Sequence, residues 1–240
     1  MLTPSDPHVY RERAVSPEEL LGPLSSVELK HAPRTLFLSG RLRLPLLHPR
    51  VAIVGTRKPS DEGRSIAFAI SGELAEKGVT IVSGLAKGID TAAHTAAIDA
   101  DGTTIAVLGT PLNRSYPAEN AELQRRIAQS HLAVSQFPTE HAVLPGNFVI
   151  RNRTMALIAD ASIIVESGEG GGSLNQGWET LRLGRPLFIH DREFQKSDLE
   201  WPKKMARYGA IRFREASDIL ETLPSSIPSP EFAVTVLEAA

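Results

Sequence analysis

The 240-residue chain contains no cysteine. Disulfide frameworks, thiolate zinc sites, iron–sulfur clusters and catalytic thiols are therefore excluded together. No window approaches the roughly 18 uninterrupted apolar residues that span a bilayer. The opening Met1-Leu2-Thr3-Pro4-Ser5-Asp6 lacks the basic start and apolar stretch of a signal peptide. A cytoplasmic protein with no membrane contact is the expectation. Charge of one sign is not in excess: 26 Lys+Arg face 28 Asp+Glu, a net −2. Residues 216–240 hold four of those carboxylates and no Lys or Arg, leaving 24 acidic against 26 basic residues before them. Such a body cannot grip nucleic acid through a broad basic face, only through a discrete crevice with a few aimed cations.

Several motifs are missing too. There is no G-x-G-x-x-G after a strand, no G-x-x-x-x-G-K-[ST] and no G-x-S-x-G, which argues against dinucleotide, P-loop and nucleophile-elbow sites. The seven histidines form no H-x-x-x-H or H-x-H pair, so neither a metal site nor a cofactor is expected. His94, four residues after Asp90, is assigned to hydrogen bonding within the fold.

What is present is alternation. Short β-branched runs at 51–54, 79–82, 104–108, 132–135, 162–165 and 186–189 are separated by helical patterns at 61–77, 90–100, 117–129, 152–159 and 174–183. Several runs lack polar alternation, as strands covered on both faces do. The fold class is α/β, a doubly wound, mostly parallel Rossmann-like sheet with helices on both faces. Residues 1–50, punctuated by Pro4, Pro7, Pro17, Pro23, Pro33, Pro45 and Pro49, read as an arm or small helical cap with one helix at 17–29. Residues 51–223 form the main domain, and the Pro/Ser-rich 224–240 read as linker and tail.

Ligands of such sheets bind beyond the carboxyl ends of the strands. The first exit is Gly55-Thr56-Arg57-Lys58, with a hydroxyl and two cations for a phosphate. The second is Ser83-Gly84-Leu85-Ala86-Lys87-Gly88-Ile89-Asp90, where Asp90 is expected to cap the next helix and leave its amides facing the crevice. Gly109-Thr110 follows the third strand. In 145–153, Phe148 with Arg151, Asn152 and Arg153 at an expected helix start offers stacking plus cations, against the plainer reading of a core ring and ion-paired arginines. Glycine-rich 168–172 leads into Ser173 as expected N-cap, with Glu166 and Glu169 able to meet a ribose hydroxyl or to face water.

These segments resemble the DNA-processing protein A family (DprA/Smf). The likeness rests on Gly55-Thr56-Arg57, on Ser83-Gly84-Leu85-Ala86-Lys87-Gly88-Ile89-Asp90 with Ala93-His94, on Tyr116-Pro117-Ala118-Glu119-Asn120, on Asn147-Phe148 with Arg151-Asn152-Arg153, and on Gly172-Ser173-Leu174, running collinearly from about residue 33 to 223. The resemblance implies an extended Rossmann-like fold that binds single-stranded DNA without catalysis, usually as a homodimer, and assists the RecA recombinase in recombination or natural transformation. Carried over by position, Gly55, Thr56, Arg57, Ser83, Gly84 and Lys87 would contact phosphates and Phe148, Arg151 and Arg153 would hold the strand. Alanine at Arg57 or Arg151 is expected to weaken strand binding without unfolding the chain. The family's frequent winged helix is expected to be absent, since ten residues follow Pro230.

Two rival functions share this scaffold. Nucleotide phosphoribohydrolases carry a P-G-G-x-G-T-x-x-E segment, but here Gly170-Gly171-Gly172-Ser173-Leu174-Asn175-Gln176 places an amide where a carboxylate would act. A non-catalytic nucleotide sensor would use the same glycine loops.

Overall fold

The computed structural model describes residues 12–223. Its nine-stranded sheet comprises β1 (Arg13–Val15), β2 (Leu36–Gly40), β3 (Arg50–Val54), β4 (Thr80–Ser83), β5 (Thr104–Leu108), β6 (Leu132–Ser135), β7 (Ala161–Ile164), β8 (Leu187–His190) and β9 (Ile211–Phe213). The spatial order is β1-β2-β6-β5-β4-β3-β7-β8-β9. Strands β3 to β9 pair in parallel, whereas β2 adds antiparallel to β6 and β1 antiparallel to β2. The mostly parallel α/β sheet read from the sequence is the one found.

The helices are α1 (Pro17–Leu21), α2 (Ser26–His31), α3 (Asp61–Glu76), α4 (Ile89–Asp99), α5 (Ala121–Ser130), α6 (Pro145–Ile158), α7 (Gly172–Arg182), α8 (Asp191–Gln195), α9 (Trp201–Ala206) and α10 (Ala216–Leu220). Two apolar layers cover the two sheet faces. Val51, Ile53, Ile81 and Ile163 pack under α3 and α4, while Ala52, Val54, Val82 and Ile164 meet α6 and α7. Alternate residues of one strand thus enter opposite layers, which is why these runs carry no polar partner.

Several boundaries moved. The single helix expected at 17–29 is two, α1 and α2, each closed by a capping box from Ser16–Glu19 and Ser25–Glu28 with Gly22 ending the first. The segment read as an arm or cap also contributes β1 and β2 to the main sheet. Helix α6 opens at Pro145 instead of 152, with proline at its first position. Residues 224–240, the expected linker and tail, lie outside the described residues.

His94 is fully buried on α4, and Thr104 Oγ1 lies 2.7 Å from its Nδ1. The threonine hydroxyl donates to Ile81 O at 2.9 Å, so Nδ1 must be the donor in the histidine contact. Burial, reinforced by the Arg151 charge, pushes the imidazole pKa down to about 3. An unfolded chain takes up that proton near pH 6.5 and the folded one does not, so stability is full above pH 6.5 and lost as pH falls towards 3. The expected loss from this group between pH 6.5 and 5 is about 2 kcal/mol, measured by urea denaturation. His94→Asn, which keeps a donor near Nδ1, should flatten the curve; an unaltered slope would contradict this assignment.

Candidate functional site

Strand order reverses at β3, whose two neighbours are β4 and β7. A cleft of about 680 Å³ opens there beyond the carboxyl ends, where doubly wound sheets take their ligands. Gly55, Thr56, Arg57 and Lys58 form one wall; Phe148, Arg151 and Asn152 of α6 face them, and Gly172 and Ser173 close the far end. A recess of about 80 Å³ adjoins it, lined by Gly84, Lys87, Arg57, Tyr116, Phe148 and Arg151.

At the mouth, the exposed Arg57 guanidinium sits over the Phe148 ring, 5.7 Å from its centroid. Tyr116, 50% exposed, tilts against the same ring at 5.1 Å. A positive charge over one ring and a second ring beside it combine a phosphate contact with a stacking surface. Gly109 lies directly beneath: a Cβ there would fall 2.5 Å from Phe148 Cδ1. The ring's position therefore depends on the absence of that side chain.

Arg151 belongs to the floor, and its placement differs from the expectation. It is only 5% exposed, sits in the second turn of α6, and donates to Val107 O at 2.8 Å, to Gly84 O and, through Nε, to Asn152 Oδ1 at 3.1 Å. It is not at the helix start that was expected, because the helix begins six residues earlier, at Pro145. Gly84 is where the guanidinium passes: a Cβ there would lie 1.7 Å from Nη1. Burial raises the Asp90 pKa, against the pull of the Arg151 charge and of the Ala86 and Gly84 amides. Burial lowers the Arg151 pKa and Asp90 opposes it.

Other assignments are corrected by the hydrogen bonds. Asp90 is not the N-cap of α4; Gly88 is, and the carboxylate instead accepts from the Gly84 and Ala86 amides at 3.1 and 3.3 Å. Those amides, and that of Ile89, which donates to Thr56 O, are thus engaged within the protein. The Ser83 hydroxyl donates to Ile53 O at 2.6 Å and is fully buried, so it holds β4 to β3 and does not reach the cleft. Lys87 is ion-paired with Glu119. Arg153 points away to Glu179 at 3.1 Å, which is the plainer reading of that arginine. Ser173 lies inside α7, whose N-cap is Gly171, and shares a 2.7 Å hydrogen bond with Ser167. Glu166 accepts from the Ser60 amide at 3.1 Å and hydroxyl at 2.7 Å, fixing the start of α3. The Thr56 amide donates to Glu166 O at 2.7 Å.

The family model for DNA recombination-mediator protein A matches residues 16–224. The chain belongs to that family. DNA processing protein DprA of Bacillus subtilis is 34% identical over 192 residues, 80% of this chain and 65% of the relative. The crystal structure of DprA from Streptococcus pneumoniae superposes with a TM-score of 0.77 at 33% identity, covering 89% of this chain and 75% of that one. DprA from Helicobacter pylori, described for its single-stranded DNA binding mode, shares the fold with a TM-score of 0.76 at 24% identity, covering 89% and 95%. The chain spans 65% of the Bacillus subtilis relative, 51% of the Escherichia coli protein Smf and 41% of the Synechocystis protein Smf.

Within this family member, the sequence reading missed Tyr116 as part of the mouth, together with Ser167, Asn175 and Gln176 in the cleft. Tyr116 was visible only within the Tyr116–Asn120 segment of the family resemblance, and nothing local announces that residues 116 and 148 meet. Among the described residues no group of three or more His, Asp or Glu could hold a metal ion, and no helix is long and apolar enough to cross a membrane.

Proposed function

We propose that this chain binds single-stranded DNA in the β3–β7 cleft, protects it and assists its transfer to RecA in recombination or natural transformation. The observation that carries the reading is the mouth: Arg57 over Phe148, with Tyr116 against the same ring. Bases of an unpaired strand can stack there while Arg57 and Lys58 meet its phosphates; a duplex keeps its base faces covered. Family membership supports the same reading, as does the strand-binding described for the Helicobacter relative. A homodimer and a cytoplasmic location go with it.

The cleft is read as non-catalytic. Asp90 is engaged by two amides beneath Arg151, Glu166 by Ser60, and Gln176 bonds Ser162 Oγ at 3.2 Å. Among the described residues, no carboxylate in the cleft is left to activate water or steady a cationic sugar. Mobility shift at low salt should show retardation of single-stranded oligonucleotides well before duplex. Binding of a mononucleotide with no retardation of any strand would replace this reading with the nucleotide sensor, and release of free base from a nucleoside monophosphate would replace it with the hydrolase.

A further inference from the structure

The recess beside the cleft already has an anion of its own chain at its rim. Of the three cations that line it, Arg57 lies over the Phe148 ring and Arg151 is tied to the Gly84 and Val107 carbonyls. Lys87 is the one given to an exposed carboxylate among the described residues: its ammonium pairs with Glu119, and both side chains are more than half exposed. The hydrogen bond from Lys87 lowers the Glu119 carboxyl pKa, so the group is charged at neutral pH.

The ion pair is not what holds the two segments together. Asn120, the neighbour of Glu119, is buried. Its side-chain amide donates to Leu85 O at 2.9 Å, Ala86 O at 3.3 Å and Thr91 Oγ1 at 2.9 Å, which fastens the single turn 118–120 to the β4–α4 loop that carries Lys87. The Asn120 N–H donates to Pro117 O at 3.1 Å, next to the Tyr116 ring at the mouth. Glu119 is thus carried between anchored points, and its carboxylate meets Lys87 as an added contact. An exposed pair of this kind is worth little, because both partners are well hydrated and screened by salt. A phosphate arriving at the mouth offers the ammonium the same charge and the same acceptor chemistry.

We propose that Glu119 competes with the strand: its carboxylate occupies Lys87 in the free protein, a backbone phosphate displaces it on binding, and Glu119 thereby sets how tightly the strand is held and how that affinity depends on salt. This rests on the strand-binding reading above and adds the recess to it as a phosphate seat. When a strand takes Lys87, one phosphate is neutralised while Glu119 is left to recruit a cation from solution, so the exchange contributes little to the salt slope. Without the carboxylate, Lys87 contributes a full contact, about 0.7 in slope for a single strand.

The test measures equilibrium binding of a fluorescent strand of about six nucleotides, near the lower limit of single-strand site sizes, to wild type, Glu119→Gln, Lys87→Ala and the double variant over a range of salt. Both positions are exposed, so folding should be untouched. Glu119→Gln should bind about three- to fivefold more tightly at low salt, with a slope of log K against log salt steeper by about 0.7. In the Lys87→Ala background the same substitution should gain less than about twofold, because no ammonium remains to be freed. An unchanged or weakened affinity in Glu119→Gln, with wild type binding the strand, would overturn the competition and leave the cleft reading intact. An equal gain in both backgrounds would overturn it in favour of the removal of a repelling charge. If neither wild type nor Glu119→Gln binds the strand at low salt, the strand-binding reading fails and the competition with it.

Discussion

Arg151→Ala is expected to destabilise the fold by about 3–5 kcal/mol, the range for removing one member of a buried charged network. The guanidinium donates to the carbonyls of Gly84 and Val107 and to Asn152, and its charge opposes the burial cost of Asp90. Its loss leaves two buried carbonyls short of a donor and an acidic group without its compensating charge. For a chain of this size that corresponds to a fall in Tm of about 10 °C. Arg151→Lys should recover little, since one ammonium cannot span the three acceptors in their fixed directions. Thermal melts of the two variants at pH 7 check this. A melt unchanged from wild type would place Arg151 where the sequence reading had it, at the ligand and dispensable for folding.

Phe148→Ala and Arg57→Ala act on the mouth instead. Stacking on one aromatic side chain is worth about 1–3 kcal/mol per base, so Phe148→Ala should weaken strand binding by roughly tenfold or more. It also removes the ring beneath the Arg57 guanidinium. The double variant should therefore lose less than the sum of the two single losses, as side chains in contact do. Arg57 is exposed and Phe148 half-buried, so the Tm of Arg57→Ala should stay within a degree or two of wild type, since surface changes fall within about 0.5 kcal/mol. Equilibrium binding of a fluorescent oligonucleotide to the three variants decides it. Additive losses would mean that the ring and the guanidinium contact the strand independently.

The sheet was legible because a strand covered on both faces must be almost wholly apolar, and 51–54 is, as are 104–108 and 162–165 after their first residues, Thr104 and Ser162. The strands β1, β2 and β9 were not. They are edge or near-edge strands, and the 13–15 and 211–213 segments are three residues each with two exposed, too short for a periodic signal. Gly55, Arg57, Phe148 and Gly172, picked out because strand exits and helix entries mark a crevice in this fold class, line the cleft. Ser83 and Arg151 were given ligand-facing roles, and Asp90 a helix-capping one, from residue type and place in the chain. A hydroxyl, a carboxylate and a guanidinium suit a phosphate site and an internal network equally well. Only three-dimensional distance separates the two, and here it sends Ser83 to Ile53, Asp90 to its own loop's amides and Arg151 to Gly84 and Val107. The helix expected from 152 begins at Pro145, a residue suited to the first helical position.

Strand binding through a few aimed cations is the central claim, and the salt dependence of short-oligonucleotide affinity tests it most directly. With Arg57 and Lys58 as the exposed cations of the cleft wall, a strand of about six nucleotides should give a slope of log K against log salt near −1.4. Arg57→Ala should reduce that slope by about half. An affinity that does not change with salt, or a duplex bound as tightly as the single strand, would contradict the account.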